Sequence, residues 1–347
     1  MSETSLSHHC LEAINEVSET ILSFDPDPIP HYLILNELSR IAKRKAGLQA
    51  VMDARNNSHW VQELRAAQWE DGTWGRFHTQ DTKVKQAIPT TETAISLALA
   101  YGLDMHDPTL AKTVTYIKNH LAGKVTWRDR PEKHDDPKLW RVLTPFISAA
   151  NLALIEYEHP MLDDFINAWV KIVTAAFQSG IYNRQTEITI FNERLNLHTK
   201  NPPAFHTKYA LILLSSQRSQ LDPQLERLIL ADVMSRSEGI YYLYSSLLSE
   251  MPAISDRKFY YWLETQKILA RFPTWFRHAD SFILDILAQR NAEGLWSFSK
   301  RVPRQPYSPL PISESWRKKA NKSIDCSVLV LQLLSQYFQQ AGNSAEA

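Results

Sequence analysis

A chain of 347 residues that is 44% hydrophobic can bury one large core or two ordinary ones, and length alone does not choose between them. Lys+Arg and Asp+Glu both number 38, which leaves no charge excess for nucleic acid as the principal partner. Cys10 and Cys326 are the only cysteines, too few for a disulfide framework, and no run reaches the roughly 18 apolar residues of a spanning helix, so the expectation is a cytoplasmic chain with no secretory leader and no transmembrane segment, for which peripheral membrane contact stays open.

Apolar residues recurring at helical spacing predict, in chain order, helices near 8–23, 31–46, 53–67, 90–101, 108–121, 139–155, 161–178, 204–216, 222–236, 257–272, 276–290 and 323–340. The first of each pair carries several charges and reads as an outer, half-exposed helix; the second is greasier and reads as inner and buried. Six alternating pairs predict an all-α fold, an (α/α)6 barrel or toroid of six inner and six outer helices, formed as one domain over 1–347 with flexible tails at 1–7 and 341–347. The competing architecture is an open helical solenoid.

Connector length divides the two ends of such a barrel. Inner-to-outer connectors are a few residues long, as in EYEHPM (156–161), whereas outer-to-inner connectors such as GKVTWRDRPEKHDDPK and SGIYNRQTEITIFNERLNLHTKNPP are long. Long connectors on a rigid scaffold are where sites are built, so the site is expected at that mouth. The inner helices also begin there, and their N-terminal dipoles favour an anionic or carbonyl-bearing group unless first-turn carboxylates satisfy them.

Leu64, Gln68, Asp71, Gly72 and Trp74 in ELRAAQWEDGTWG form a repeated turn motif, echoed by Gln289, Gly294 and Trp296 in LAQRNAEGLWSF and more faintly by QSGIY (178–182) and SEGIY (237–241). Gln can bond backbone groups at the helix end, Gly permits the turn, and Trp packs against the next repeat. This spacing resembles the QW turn of squalene-hopene cyclases, and the helical pairs resemble the wider toroid superfamily of terpenoid cyclases and protein prenyltransferases. The resemblance implies an acid-initiated cyclisation of a prenyl or terpenoid-like substrate in an aromatic-lined barrel, and a small, largely apolar partner. The Asp-x-Asp-Asp tetrad of class II cyclases is absent from the sequence.

Two groups of residues are candidates for the proton chemistry. Glu92, His206 and Asp325 fall at the starts of alternate inner helices and are expected to converge at one mouth. Asp135 and Asp136, in HDDP, form the second acidic group, in which Asp before Pro is also an ordinary helix cap. Arg76, His78, Trp127, Arg128, Tyr182, Tyr241 and Tyr242 lie on the long-connector side as candidate substrate contacts, aromatic faces being suited to a carbocation or a stacked sugar. FHTKY and IDCS have the flavour of prenyltransferase zinc ligands, but adjacent helical residues diverge by about 100°, so neither a metal nor any other cofactor is expected. A carbohydrate-active (α/α)6 hydrolase or lyase and a non-catalytic ligand-binding toroid are the alternative functions.

Overall fold

The structure, a computed structural model, describes residues 3–42, 47–79, 86–130, 136–216, 221–299, 301–303 and 308–345. It is all-helical: α1 (Glu3–Ser23), α2 (Pro28–Ala42), α3 (Leu48–Asn56), α4 (His59–Ala66), α5 (Thr91–Ala100), α6 (Pro108–Leu121), α7 (Pro137–Ile155), α8 (Asp163–Ala176), α9 (Arg184–Leu195), α10 (Lys208–Leu214), α11 (Pro223–Ser235), α12 (Lys258–Leu269), α13 (Asp280–Ala288) and α14 (Asn321–Ala345). Among the described residues the one β feature is an isolated bridge between Ile240 and Tyr244. No described helix is long and apolar enough to cross a membrane.

Local chemistry sets the helix ends. Four helices, α2, α6, α7 and α11, begin at an Asp-Pro pair, and in the last three Asp107, Asp136 and Asp222 each accept a backbone N–H two residues on, at 2.9, 2.8 and 2.8 Å. The proline then opens the helix with its φ already set and no N–H to satisfy. Eight helices are followed by a left-handed residue: Gly102 after α5, Asn196 after α9, and, at wider and more even spacing, Asp25, Gly72, Gly123, Gly180, Gly239 and Gly294 after α1, α4, α6, α8, α11 and α13. In the six evenly spaced turns the left-handed N–H donates to the carbonyl three residues earlier, at 2.8–3.2 Å. The repeat, roughly every 50 residues, is therefore more regular in the backbone than in the motif that announces it.

At the best-formed turn, Gln68 Nε2 donates to the carbonyls of Gly72 and Thr109 at 3.1 and 2.8 Å. Trp74 is buried, and its backbone N–H donates to Thr91 Oγ1 at 3.0 Å, tying the turn to the first residue of α5. The copy at Trp296 does the same with Ser327 Oγ of α14, also at 3.0 Å.

Two helical expectations need correction. The segment 53–67 is two helices, α3 and α4, broken at Asn57–Ser58, where the Asn57 N–H turns back to the carbonyls of Asp53 and Ala54. The connector 179–203 contains α9, capped by Asn183 Oδ1 on the Thr186 N–H at 2.9 Å.

The chain forms two compact units. The first holds Met1–Ala66, Ser96–Leu103 and Ser249–Ala347. Its axis is α14, buried around most of its circumference and packed against α1, α2 and α12. Trp275 and Trp296, fully buried here, satisfy their indole N–H groups on Gln266 Oε1 at 3.0 Å and the Ile286 carbonyl at 2.7 Å. The second holds Ala67–Ile95 and Asp104–Leu248, with α7 packed on α6 and α10 and α8 packed on α9 and α10.

A Cβ at Gly72 would lie 2.6 Å from the Lys112 carbonyl, whereas at Gly294 it would meet open space; both have positive φ. Gly294→Ala should thus cost about 1–2 kcal/mol for the left-handed backbone alone, and Gly72→Ala about 2–5 kcal/mol once overpacking is added. Urea denaturation of the two variants checks this, and equal losses would contradict it.

Candidate proton-transfer site

The first turn of α5 brings a carboxylate into the apolar interior of the second unit. Backbone N–H groups of Thr91 and Glu92 donate to the carbonyls of Arg76 and Phe77 at 2.8 and 3.1 Å, and Thr90 Oγ1 caps the Thr93 N–H at 3.1 Å. The helix end is satisfied by protein, not held open for an anion. These bonds lay the 76–79 segment across the start of α5, so His78 meets Glu92.

His78 Nδ1 lies 2.5 Å from Glu92 Oε2, and the Tyr209 hydroxyl from α10 is 3.1 Å from both atoms. The other oxygen, Oε1, accepts the Asn151 amide of α7 at 2.9 Å. Glu92 is buried and His78 keeps 25% of its side chain exposed. Burial opposes charge on both groups, but each outweighs it for the other. His78 is raised above 6.5 by the hydrogen bond and charge of Glu92 and by Asp129, while Glu92 is lowered below 4.5 by His78, Lys208 and Asn151. Both directions favour an imidazolium on a carboxylate, and with Nδ1 facing Glu92, Nε2 is the ring atom left to exchange a proton.

Asp129 sets the geometry. Its carboxylate accepts the backbone N–H groups of Phe77, His78 and Thr79 at 2.7, 2.8 and 2.6 Å, and the Thr79 hydroxyl at 3.0 Å. Aromatic rings enclose the imidazole: Trp127, Trp140 and Tyr209 have centroids 6.4, 6.3 and 5.8 Å away. Trp127 is fixed by stacking on Phe77 at 4.4 Å and by its indole N–H on Ser148 Oγ at 3.2 Å.

The other expected site residues fall elsewhere. Arg76 joins this site by its backbone. Arg128 is exposed, paired with Asp71 at 2.6 Å and lying 4.8 Å over the Trp69 ring, where it lines a cleft of about 520 Å³ with Glu70 and Tyr116. Tyr182 belongs to a separate buried network in which its hydroxyl, Arg184 and the Phe205 N–H all donate to Glu187. His206, beside it, is lowered to about 4 by burial and by the charges of Arg236 and Arg184. Tyr241 and Tyr242 lie on the turn after α11, in the cleft that His206 lines. Asp136 is an exposed cap of α7, and Asp135 lies outside the described residues.

Asp325 lies in the first unit, Glu92 and His206 in the second. Fully buried, it accepts the N–H groups of Ile312 and Ser313, the Ser313 hydroxyl at 2.5 Å and the Trp316 indole N–H at 2.7 Å. These bonds fasten the strap 312–316, which follows the Pro-rich stretch VPRQPYSPLP of the sequence, to α14, and burial pushes the Asp325 pKa up to about 7 against their pull. Among the described residues no three His, Cys, Asp or Glu side chains are grouped to hold a metal.

Sequence reasoning missed Asp129, Asn151, Trp140 and Tyr209. The signal for Asp129 was its place in TWRDR beside Trp127; the others carry none in one dimension. The arrangement defines a class, a part-buried histidine–carboxylate pair in an all-helical protein. Comparison of the chain with protein-family models, curated proteins and solved structures gave no match.

Two pH profiles follow. His78, raised in the folded state, stabilises fully below 6.5 and loses this as pH rises through its folded value; Glu92, lowered, stabilises above 4.5 and loses this as pH falls through its folded value. The stability gap between wild type and Glu92→Gln should thus be widest between 4.5 and 6.5 and narrow toward alkaline pH; a flat gap in urea denaturation contradicts the pairing. Asp325 stabilises its unit when protonated, fully below 3.8 and not above about 7. Asp325→Asn should remove that slope, and Asp325→Ala should cost about 3 kcal/mol or more by stranding its donors. Identical melting of Asp325→Ala and wild type would sink the strap role.

Proposed function

We propose that the protein is a terpenoid cyclase-like enzyme, its six helical repeats closed as an (α/α)6 toroid, acting on a prenyl or terpenoid-like substrate with His78 and Glu92 as its proton-transfer pair. The observation that carries this reading is the His78–Glu92 contact, partly open to solvent and walled by Trp127, Trp140 and Tyr209. General acid–base catalysis needs a group that titrates near working pH, held in fixed geometry, and a histidine raised by a carboxylate meets both conditions.

The strength of the acid selects the bond it acts on. An imidazolium whose pKa is raised is too weak to protonate an isolated alkene, so the reacting atom is an oxygen, as in an epoxide or a tertiary alcohol. Nε2–H gives its proton to that oxygen as the C–O bond breaks, and a neighbouring π bond closes on the carbon. The positive charge then lies against the aromatic faces, and the proton lost from the product cation returns to Nε2. Glu92 holds the imidazolium and Tyr209 steadies both, which makes them positioning residues for His78. Asp325, with its oxygens occupied by donors in another unit, has no part in this step.

The test is turnover on farnesol 10,11-epoxide, followed by product analysis, with farnesol, which has neither an epoxide nor a tertiary alcohol, as the substrate that should stay unconverted. Wild type should convert the epoxide, and His78→Gln should slow it about 100-fold or more. A folded His78→Gln protein that keeps near-normal turnover would overturn the assignment.

A further inference from the structure

The turn after α11 carries two large aromatic side chains that the helical core does not use. Tyr241 and Tyr242 are 68% and 77% exposed, their rings 4.1 Å apart. Tyr242 also has φ of +64°, a left-handed conformation that a residue with a Cβ holds only at a conformational penalty. Two tyrosines kept at the surface on such a backbone, next to Gly239 which closes the turn, serve something other than packing. They border a cleft of about 290 Å³ with His206 and Glu238. The Tyr242 phenol also acts on the ionisation of Tyr209, after burial and Glu92.

The chemistry of the cleft is set by His206. Its Nδ1 is buried and has no hydrogen-bond partner among the described residues. Its ring is neutral, since burial, Arg236 and Arg184 together lower its pKa to about 4. A sealed nitrogen with no partner costs less as a bare lone pair than as an orphaned N–H, so the neutral tautomer carries its proton on Nε2. With Nδ1 sealed, the ring edge that the cleft reaches is the one bearing Nε2–H, a donor that asks for an acceptor. The neighbouring charges are already balanced: Arg236 bonds Asp232 and Glu238 at 2.7 and 2.9 Å, and Arg184 pairs with Glu187. An ionic ligand finds no uncompensated partner here.

We infer that the His206–Tyr241–Tyr242 cleft is a ligand subsite for an uncharged aromatic or polyunsaturated group bearing an oxygen acceptor, which lies against the tyrosine rings and accepts a hydrogen bond from His206. Its size suits one or two fused rings, at the low end of ligand pockets. Binding in this cleft does not depend on the proton chemistry at His78, and the two fail separately: loss of binding leaves His78→Gln kinetics informative, and the reverse.

Equilibrium dialysis with three naphthalenes of matched size tests it. 2-Acetylnaphthalene, with a carbonyl acceptor, should bind at least tenfold tighter than 2-ethylnaphthalene, which has none, and 2-naphthoate should bind no better than the hydrocarbon. His206→Phe should erase the difference between the first two. Tyr242→Gly relieves the left-handed backbone, so it should weaken binding of both without lowering the melting temperature, which keeps the test decisive if His206→Phe fails to fold. Equal affinity for the first two compounds in wild type, survival of their difference in His206→Phe, tightest binding of the naphthoate, or no saturable binding of any would each overturn the proposal.

Discussion

A carboxylate that enters an apolar helix bundle must be neutralised or paired, and Glu92 is paired. Much of the second unit is arranged around that need. α5 places Glu92 in its first turn, α7 supplies Asn151, α10 supplies Tyr209, and the loop before α5 returns His78 to the same oxygen. Removing one partner from such a buried pair strands the other, at about 3–5 kcal/mol. The loop does not hold this position unaided, because three of its N–H groups are gathered by Asp129. Two carboxylates thus act in sequence: one fixes the backbone, the other fixes and charges the ring.

A similar device recurs in the first unit with a structural outcome. Asp325 collects donors from 312–316, and Asp27 collects the Glu314 N–H, Asn321 Nδ2 and Lys318 Nζ at 2.8–2.9 Å. Both hold the strap 312–316 in place. What separates Asp325 from Glu92 is its company: its described partners are all hydrogen-bond donors of the strap, with no titratable group in contact, and its side chain is closed to solvent. Glu92 instead faces a histidine that keeps 25% of its side chain exposed, the arrangement on which the proposed proton transfer rests.

The helices were legible because their determinants are local. Asp-Pro openings, glycines after helix ends and a 3.6-residue apolar period are properties of short segments, and each of the twelve expected segments contains a helix. α9 escaped because TEITIF is rich in β-branched residues and its helix has little amphipathic character, so nothing periodic distinguishes it from a connector. The turn motif was read correctly in its physics: Gln68 bonds backbone carbonyls, Gly72 turns left-handed and Trp74 is buried. Of the site, Glu92, His78 and Trp127 were visible as polar or aromatic residues beside the motif. Their partners were not, because Asp129, Asn151 and Tyr209 reach them across 50 residues or more of chain. Glu92, His206 and Asp325 share a helix-start position in the sequence but have different surroundings: Glu92 meets His78, His206 lies against the Tyr182 and Phe205 rings, and Asp325 holds donors of 312–316.

The central claim is that His78 is an imidazolium held by Glu92. Histidine-selective NMR titration measures it directly, with His78→Gln assigning the resonance. The account predicts that His78 titrates above 6.5 in the wild type and falls markedly in Glu92→Gln, where burial alone acts on the ring. A His78 that titrates at or below 6.5 in the wild type, or that is unmoved by Glu92→Gln, would contradict it.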